Sequence, residues 1–510
     1  MRSFDELQAG LADVLAANTA GSGRPHVVVA MPSYSVNESL LSHYGRRIMA
    51  LEHRYLLATL MTHRIADVEF VYLSSLTPTP AVVDYYRSIG PRPQAFDAQA
   101  HFMCVHDPSP RCMADKLLDR PDVMQRLRRL INGRPAMIEP WNVTEREVAV
   151  AEQLQLPVNG MNPTLRHLGF KSAGRRLFEA AGVPVPYGVE DVRSTDDLLA
   201  AIAAIQAARP LVERVVVKHD DSGAGDGNVV LDVRNASGAP AKLDTMAQRI
   251  AALPEWYLRD LGQGGIAEEF LDGAQFSSPS AQVDLLPDGG VVVLATHEQL
   301  LGGDSGQIFL GCRFPADAAY AGELARYAQL IGERLAASGV VGRISVDFAA
   351  VRTEGESWRL YALEVNLRKG GTTHPYAVLR NLVPGRYDAH VGAWVTGDGS
   401  PRAYVCTDNL VDSSWVGSTD ESVIHALEAA GLRFDRRTGT GVILHMLSGL
   451  GIDGRIGLTA FEIDVEQAQA LYERACDAVR HTLASDTPTA PSLPSAGGSS
   501  GAQPVSPPTP

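Results

Sequence analysis

The sequence predicts a multidomain chain of α/β and α+β class, and three stretches carry that expectation. His26–Met31, HVVVAM, leads through a polar loop and a helical stretch to a second apolar run, Val68–Leu73, the opening of a parallel sheet. Val215–Asn228, VVVKHDDSGAGDGN, is a strand, a lysine and a glycine-rich loop, with another strand, Val229–Val233, behind it. Val340–Val351 and Tyr361–Pro375 read as the two halves of a hairpin.

In chain order, Phe4, Leu7, Leu11, Val14 and Leu15 recur at helical spacing and predict one amphipathic helix over Ser3–Ala17. After the first strand, a helix is expected from about Ser39 through Met61. The loop between them sits at the carboxyl end of a strand, where open α/β sheets bind ligands. Ser33, Tyr34, Ser35, Asn37 and Glu38 are therefore candidate substrate contacts. Further strands are expected at His101–Asp107 and Ala136–Ile138, and a helix at Val143–Leu156 with Thr144 as its cap. No G-x-G-x-x-G occurs, which argues against a dinucleotide site.

Gly169–Gly188 holds a short helix beginning near Lys171, ended by Gly182 and held extended by Pro184 and Pro186. Gly265–Gly273, GIAEEFLDG, is a strand running into a hinge, and Val283–His297 turns about Pro287–Gly290. Asp317–Ser338 is a clear amphipathic helix. Beyond about Val395, strands at Ala403–Thr407 and Gly441–Leu447 and helices at Ser422–Ala430 and Val465–Ala484 form a small α+β region. Residues 485–510 are rich in Pro, Ser, Gly and Thr and are expected to be disordered.

The chemistry concentrates in two places. In the hairpin, alternation puts Glu364, Asn366 and Arg368 on one face, and pairing brings Asp347 beside them. Two carboxylates, an amide oxygen and a guanidinium suit a hard cation bridging to phosphate. In the glycine loop, Gly223, Gly225 and Gly227 let backbone N–H groups approach phosphate, and Lys218 adds a charge.

Lys171, Lys218 with its loop, the hinge, Asp347 and E-x-N-x-R stand in the order of the ATP-grasp ligases, and this part of the chain resembles them. MPSYSVNES, ALEVNLRKGGTTHP and YVCTDNL resemble more particularly the pheganomycin-type peptide ligases. The resemblance implies a Rossmann-like pre-ATP-grasp domain over residues 1–163 and a two-lobed ATP-grasp domain over 164–395, with lobes about 164–267 and 268–395. It also implies a C-terminal α+β domain over 396–484. By the same resemblance Asp347, Glu364 and Asn366 hold Mg2+. The residues it implies around ATP are Lys171, Lys218, Gly223, Gly225, Gly227, Glu268, Glu269, Phe270, Leu271 and Gln275; Gln275 and Phe276 fall near the place of the usual ribose-binding acid, so which residue contacts the ribose is open. Arg368 and Lys218 are the implied catalytic residues; the arginine that some relatives carry two residues before the metal Asp is Ser345 here, Arg343 keeps the parity to take its place, and whether Arg343 or His374 reaches the site is open. The implied reaction joins a carboxylate to an amine through an acyl-phosphate, releasing ADP and phosphate. The expected donor is a nonproteinogenic amino acid and the expected acceptor a peptide amino terminus, in natural-product biosynthesis. Alternatives are a ligase for two small amino acids or an amino acid and an amine, a bicarbonate-using carboxylase, and a degenerate nucleotide-binding regulator.

Composition agrees with a folded ligase. Hydrophobic residues make up 45% and charged residues 20%, as in ordinary globular domains. The net charge of −14 disfavours nucleic acid and anionic membranes as partners. No apolar run approaches a membrane span, and Met1–Gly10 does not read as a signal peptide, so a cytoplasmic enzyme is expected; a homo-oligomer is compatible with the sequence. The five cysteines are scattered without C-x-x-C, and the spacing of Cys104 and Cys112 with His101 and His106 matches no zinc pattern.

Overall fold

The computed structural model describes residues 2–36, 41–42, 44–222, 227–302 and 308–486. Asn37, Glu38, Ser39, Gly223, Gly225, residues 303–307 of the GGDSGQ loop and the tail from residue 487 lie outside the described residues.

The chain opens with two short helices, Phe4–Gln8 and Leu11–Ala17, rather than one. Ser3 and Glu6 form a capping box on the first, and the helix ends at Ala9–Gly10, where glycine makes continuation costly. Four parallel strands follow: β1 (His26–Met31), β2 (Val68–Ser74), β3 (Ala100–Cys104) and β4 (Ala136–Pro140), in the order β3-β2-β1-β4. Every residue of β1 is buried because helices cover both faces. Val27, Val29 and Met31 pack with Met113, Leu117 and Val150 on one side. Val28 and Ala30 belong with Leu56, Leu57 and Leu60 on the other. The expected helix through Met61 is instead an α-helix, Arg47–Glu52, running into a 3-10 helix, His53–His63.

A smaller antiparallel sheet contains β5 (Gly188–Val189), β6 (Arg214–His219), β7 (Asn228–Asp232) and β8 (Gly265–Glu269), ordered β5-β8-β6-β7. Helices Thr195–Ala208, Leu243–Ala251 and Glu255–Leu261 supply its core.

The largest sheet has 11 strands. They are β9 (Gln275–Ser277), β10 (Pro279–Leu285), β11 (Val291–Gly302), β12 (Ile308–Phe314), β13 (Gly342–Arg352), β14 (Arg359–Asn366), β15 (Arg386–Asp388), β16 (Ala393–Val395), β17 (Pro401–Val411), β18 (Gly441–His445) and β19 (Arg455–Glu462). Helix Ala321–Ala337 lays Leu324, Ala328, Ile331 and Leu335 against Val283, Leu285, Ile344 and Val346 on one face, which leaves the opposite face for polar residues. The C-terminal strands continue this sheet: β12 pairs with β17, and β17 with β19.

One buried apolar cluster runs from the N-terminal sheet into the C-terminal strands, from Phe70 and Tyr72 to Tyr404, Leu444 and Leu458. Polar contacts pin the same joint. On helix Pro80–Ile89, the Tyr86 hydroxyl donates to the Leu444 carbonyl at 3.0 Å, and the Tyr85 hydroxyl accepts from the Leu444 amide at 3.0 Å. These hydroxyls satisfy backbone groups on the open edge of β18. Replacing Tyr86 with Phe leaves a buried carbonyl unpaired and is expected to cost about 1–3 kcal/mol, read as a lower melting temperature against wild type.

Candidate active site

Strand register assembles the first part of the site. In β13 and β14, Asp347 stands directly opposite Glu364 and Ser345 opposite Asn366; in β10, Ser280 stands opposite Asp347 and Asp284 opposite Arg343. Alternation puts Arg343, Ser345 and Asp347 on the face away from Ile344 and Val346. Asp347 accepts from Gln299 Nε2 and from Asn366 Nδ2, each at 3.0 Å. Burial, and after it the charge of Glu364, pushes the Asp347 carboxyl up to about 7; Arg368 and Lys171 oppose the shift without cancelling it. Two carboxylates crowded on adjacent strands, with an amide beside them, are short of positive charge. That donor set fits a hard divalent cation.

Lys171 supplies part of that charge from a helix packed beside β14. It begins helix Lys171–Ala180, is 6% exposed, and gives its ammonium to Glu364 Oε1 and to the Ser222 carbonyl, both at 2.8 Å. The helix start is anchored by Asp220, whose Oδ1 accepts from Ser172 N at 2.8 Å and Ser172 Oγ at 2.7 Å. Lys171 therefore spans from the large sheet to the root of the glycine loop. At the loop's far root, a Cβ on Gly227 would lie 2.5 Å from Ser222 Cβ, so glycine is what lets the two arms close together.

Lys218 lies one residue before the end of β6 and pairs with Glu268 of β8, Nζ to Oε2 at 2.7 Å. Glu268 is fully buried and also takes Arg175 Nη1 at 2.6 Å, while Arg175 Nε reaches Glu190 at 2.7 Å. The expectation that Glu268 faces nucleotide is thus modified: its carboxylate holds two cations in place. Arg175 carried no motif, although its position one helical turn after Lys171 places it on the same face.

The other expected residues are distributed as follows. Glu269 accepts from Tyr187 N at 2.7 Å and Arg209 Nε at 3.1 Å. Phe270 and Leu271 follow β8 directly, and Phe270 lies under the Arg214 guanidinium, 3.9 Å from its ring centroid. Gln275 is exposed and holds Arg352. Arg368 follows β14 and stacks 4.6 Å over the Trp141 ring, its proton affinity lowered by burial while Glu364 and Asp347 oppose that shift. Arg343 is held by both oxygens of Asp284, at 2.8 and 2.9 Å. His374 lies in a buried cluster with His445 and Asp408.

A cavity of about 430 Å3 opens beside the turn that follows Arg368; Tyr34, Trp141, Arg343, Lys369, Tyr376 and Arg380 are among its walls. Lys369 reaches Glu139 at 2.7 Å. Arg64 and Arg380 stand at the same wall without a carboxylate partner among the described residues; Arg64 bonds to Asn381 Oδ1 at 3.0 Å. Burial, and then Arg380, lowers the Arg64 guanidinium to about 10. Of the first loop's candidates, Tyr34 lines this cavity, whereas Ser33 and Ser35 donate to buried Glu147, at 2.6 and 2.5 Å.

Known proteins share this arrangement of sequence and fold. The profile of the IQCH-like ATP-grasp family matches residues 163–257 and 251–390, and that of the PGM1 C-terminal domain matches residues 422–475. L-propargylglycine--L-glutamate ligase of Streptantibioticus cattleyicolor is 31% identical over 428 residues, covering 82% of this chain and 86% of that protein. IQ motif-containing protein H of Danio rerio is 25% identical over 274 residues, covering 46% of this chain and 26% of that protein. Among solved structures, the biotin carboxylase domain of the Hydrogenobacter thermophilus 2-oxoglutarate carboxylase, in complex with MgADP, ADP and bicarbonate, is 14% identical. It covers 88% of this chain and 89% of its own, with a TM-score of 0.52. At that identity the likeness is one of fold. The described residues contain no helix long and apolar enough to cross a membrane.

Replacing Glu268 with Leu removes the shared partner of Lys218 and Arg175 and leaves buried cations behind. The expected cost is about 3–5 kcal/mol, measured as a shift in the urea unfolding midpoint.

Proposed function

The chain belongs to the ATP-grasp carboxylate–amine ligases, and on that premise we propose that it activates the carboxylate of a nonproteinogenic amino acid and joins it to the amino group of a second amino acid or of a peptide. The observation that carries this reading is the meeting of Lys171, Glu364, Asp347 and Asn366, with the Arg368 guanidinium in the field of both carboxylates.

In this reading Asp347, Glu364 and Asn366 hold Mg2+, which would neutralise phosphate charge during transfer. Lys171 and Lys218 grip the triphosphate of the substrate ATP from the side of the glycine loop. Their present carboxylate partners keep both ammonium groups extended into the cleft, so little ordering is left to accompany binding. Glu269–Leu271 border the adenine through their backbone, where β8 gives way to the hinge. Arg368, already stacked and partly desolvated, offers its guanidinium to the reacting carboxylate and then to the oxyanion formed when the amine attacks the acyl-phosphate.

The cavity also suggests which substrates fit. Its aromatic walls suit an apolar side chain, and its paired charges, Arg343–Asp284 and Lys369–Glu139, suit a zwitterion. Arg64 and Arg380 have no such counter-charge and form a site for a free carboxylate, the α-carboxylate of an amino-acid acceptor. The ligase similarity, from a protein named for joining L-propargylglycine and L-glutamate, supports amino acids as substrates and a secondary-metabolite setting.

Incubation with ATP and pairs drawn from an amino-acid and peptide library should yield an amide product with stoichiometric ADP and phosphate, seen by mass spectrometry. AMP formation would contradict the reading. Asn366→Ala is expected to lower kcat/KM by about 100-fold or more, the scale on which disturbed metal sites lose activity. Arg380→Ala should raise the acceptor KM by about 10–100-fold while kcat changes far less; an unchanged KM would remove the carboxylate site.

A further inference from the structure

The buried group His374, Cys406, Asp408 and His445 plays no part in the ligase chemistry above, and its donor atoms all lie within 4.8 Å of one another. They come from three elements distant in sequence: helix Thr373–Leu382, β17 and the end of β18. His374 Nε2 and His445 Nε2 stand 3.2 Å apart, and each reaches Asp408 Oδ1, at 3.0 and 2.8 Å. Cys406 Sγ lies 3.7 Å from His374 Nε2.

Hydrogen bonding alone gives no reason for this convergence. Two imidazoles aim the same nitrogen at one carboxylate oxygen and also at each other, and a thiol joins them. A tetrahedral ion with metal–nitrogen bonds near 2.0–2.1 Å sets neighbouring nitrogens about 3.3 Å apart, with a longer edge to sulfur. The His374–His445 edge of 3.2 Å and the Cys406–His374 edge of 3.7 Å follow that pattern, while the edges from the two imidazoles to Asp408, at 3.0 and 2.8 Å, are shorter. Arg54 lies outside the group, its Nη2 paired by charge with Asp408 Oδ2 at 2.8 Å, in the place of an outer partner that orients a ligating carboxylate. Gly457, facing His445 across β18 and β19, keeps the room clear: a Cβ there would fall 2.1 Å from Nε2.

We propose that His374, Cys406, Asp408 and His445 form a closed four-ligand site for a borderline-soft divalent ion such as zinc, distinct from the Mg2+ position at Asp347. Two nitrogens, one thiolate and one carboxylate suit zinc and disfavour magnesium, which takes oxygen ligands. Four protein ligands leave no open position, so the role is structural. The ion ties helix Thr373–Leu382 to the C-terminal strands. It thereby fixes the Gly370–Thr373 turn, in which Gly370 N donates to Thr373 Oγ1 at 3.1 Å and Gln282 Nε2 donates to the Thr372 carbonyl at 2.8 Å. That turn follows Arg368 and borders the cavity, so the ion acts on the substrate side through position alone. This inference does not depend on which substrates the enzyme takes.

The test is the metal content of the full chain purified without chelator, followed by cobalt exchange. The expected result is one zinc per chain that survives desalting, a melting temperature that falls when it is stripped, and a thiolate-to-cobalt charge-transfer band after exchange. Cys406→Ser should abolish the band, and His445→Gln should lose the zinc, while Asp347→Asn retains both. Circular dichroism checks that each variant is folded, and the wild-type content stands even if one is not. Folded wild-type protein with no stoichiometric metal and no such band on cobalt addition would overturn the proposal, as would a band that persists in Cys406→Ser.

Discussion

The candidate active site depends on one constraint, the register that sets Asp347 opposite Glu364. A slip of one residue would turn Asp347, Ser345 and Arg343 toward helix Ala321–Ala337 and bring Ile344, Val346 and Phe348 out to the cleft. The apolar face of the hairpin therefore does work for the polar one. Burying Ile344, Val346, Val365 and Ala362 fixes the pairing, and the fixed pairing leaves two carboxylates in each other's field. Burial first, and the charge of Glu364 after it, raise Asp347 to about 7. A surface of this kind favours cations, and the ligase chemistry consists largely of placing cations around phosphate.

The two lysines show a matching economy on the side of the glycine loop. Each comes from the smaller lobe or its entry helix, and each is held by a glutamate: Lys171 by Glu364 from the large sheet, Lys218 by the buried Glu268. Removing a cation from water is costly unless a partner is present, and these partners let the ammonium groups wait inside a cleft. Arg343 and Lys369 at the cavity follow the same rule through Asp284 and Glu139. Arg64 and Arg380 break it, which is why a substrate carboxylate is assigned to them.

Much of this was legible in the sequence because its signals are local. The hairpin, the strand ending in Lys218, the helix starting near Lys171 and the parallel opening each occupy a short window with its own period. Features built from distant segments were not legible. Arg175, Glu139 and Trp141 carry no motif, and their roles appear only when helix Lys171–Ala180 and β4 come to rest beside the hairpin. The same holds for the His374–Cys406–Asp408–His445 group, whose spacing resembles no zinc signature. The single helix expected over Ser3–Ala17 missed the break at Gly10 because apolar periodicity continues across it. The C-terminal strands read as a separate small region, since nothing in β17 announces that its partner is β12.

The central claim is that this hairpin directs the phosphoryl group of ATP onto a substrate carboxylate. Isotope transfer tests it most directly: the donor amino acid is labelled with 18O in its carboxylate, and the released phosphate is analysed by mass spectrometry. The account predicts one 18O carried from the carboxylate into inorganic phosphate in step with amide formation, and loss of that transfer in Glu364→Gln. Amide formed with unlabelled phosphate, or with the label in AMP, would contradict it.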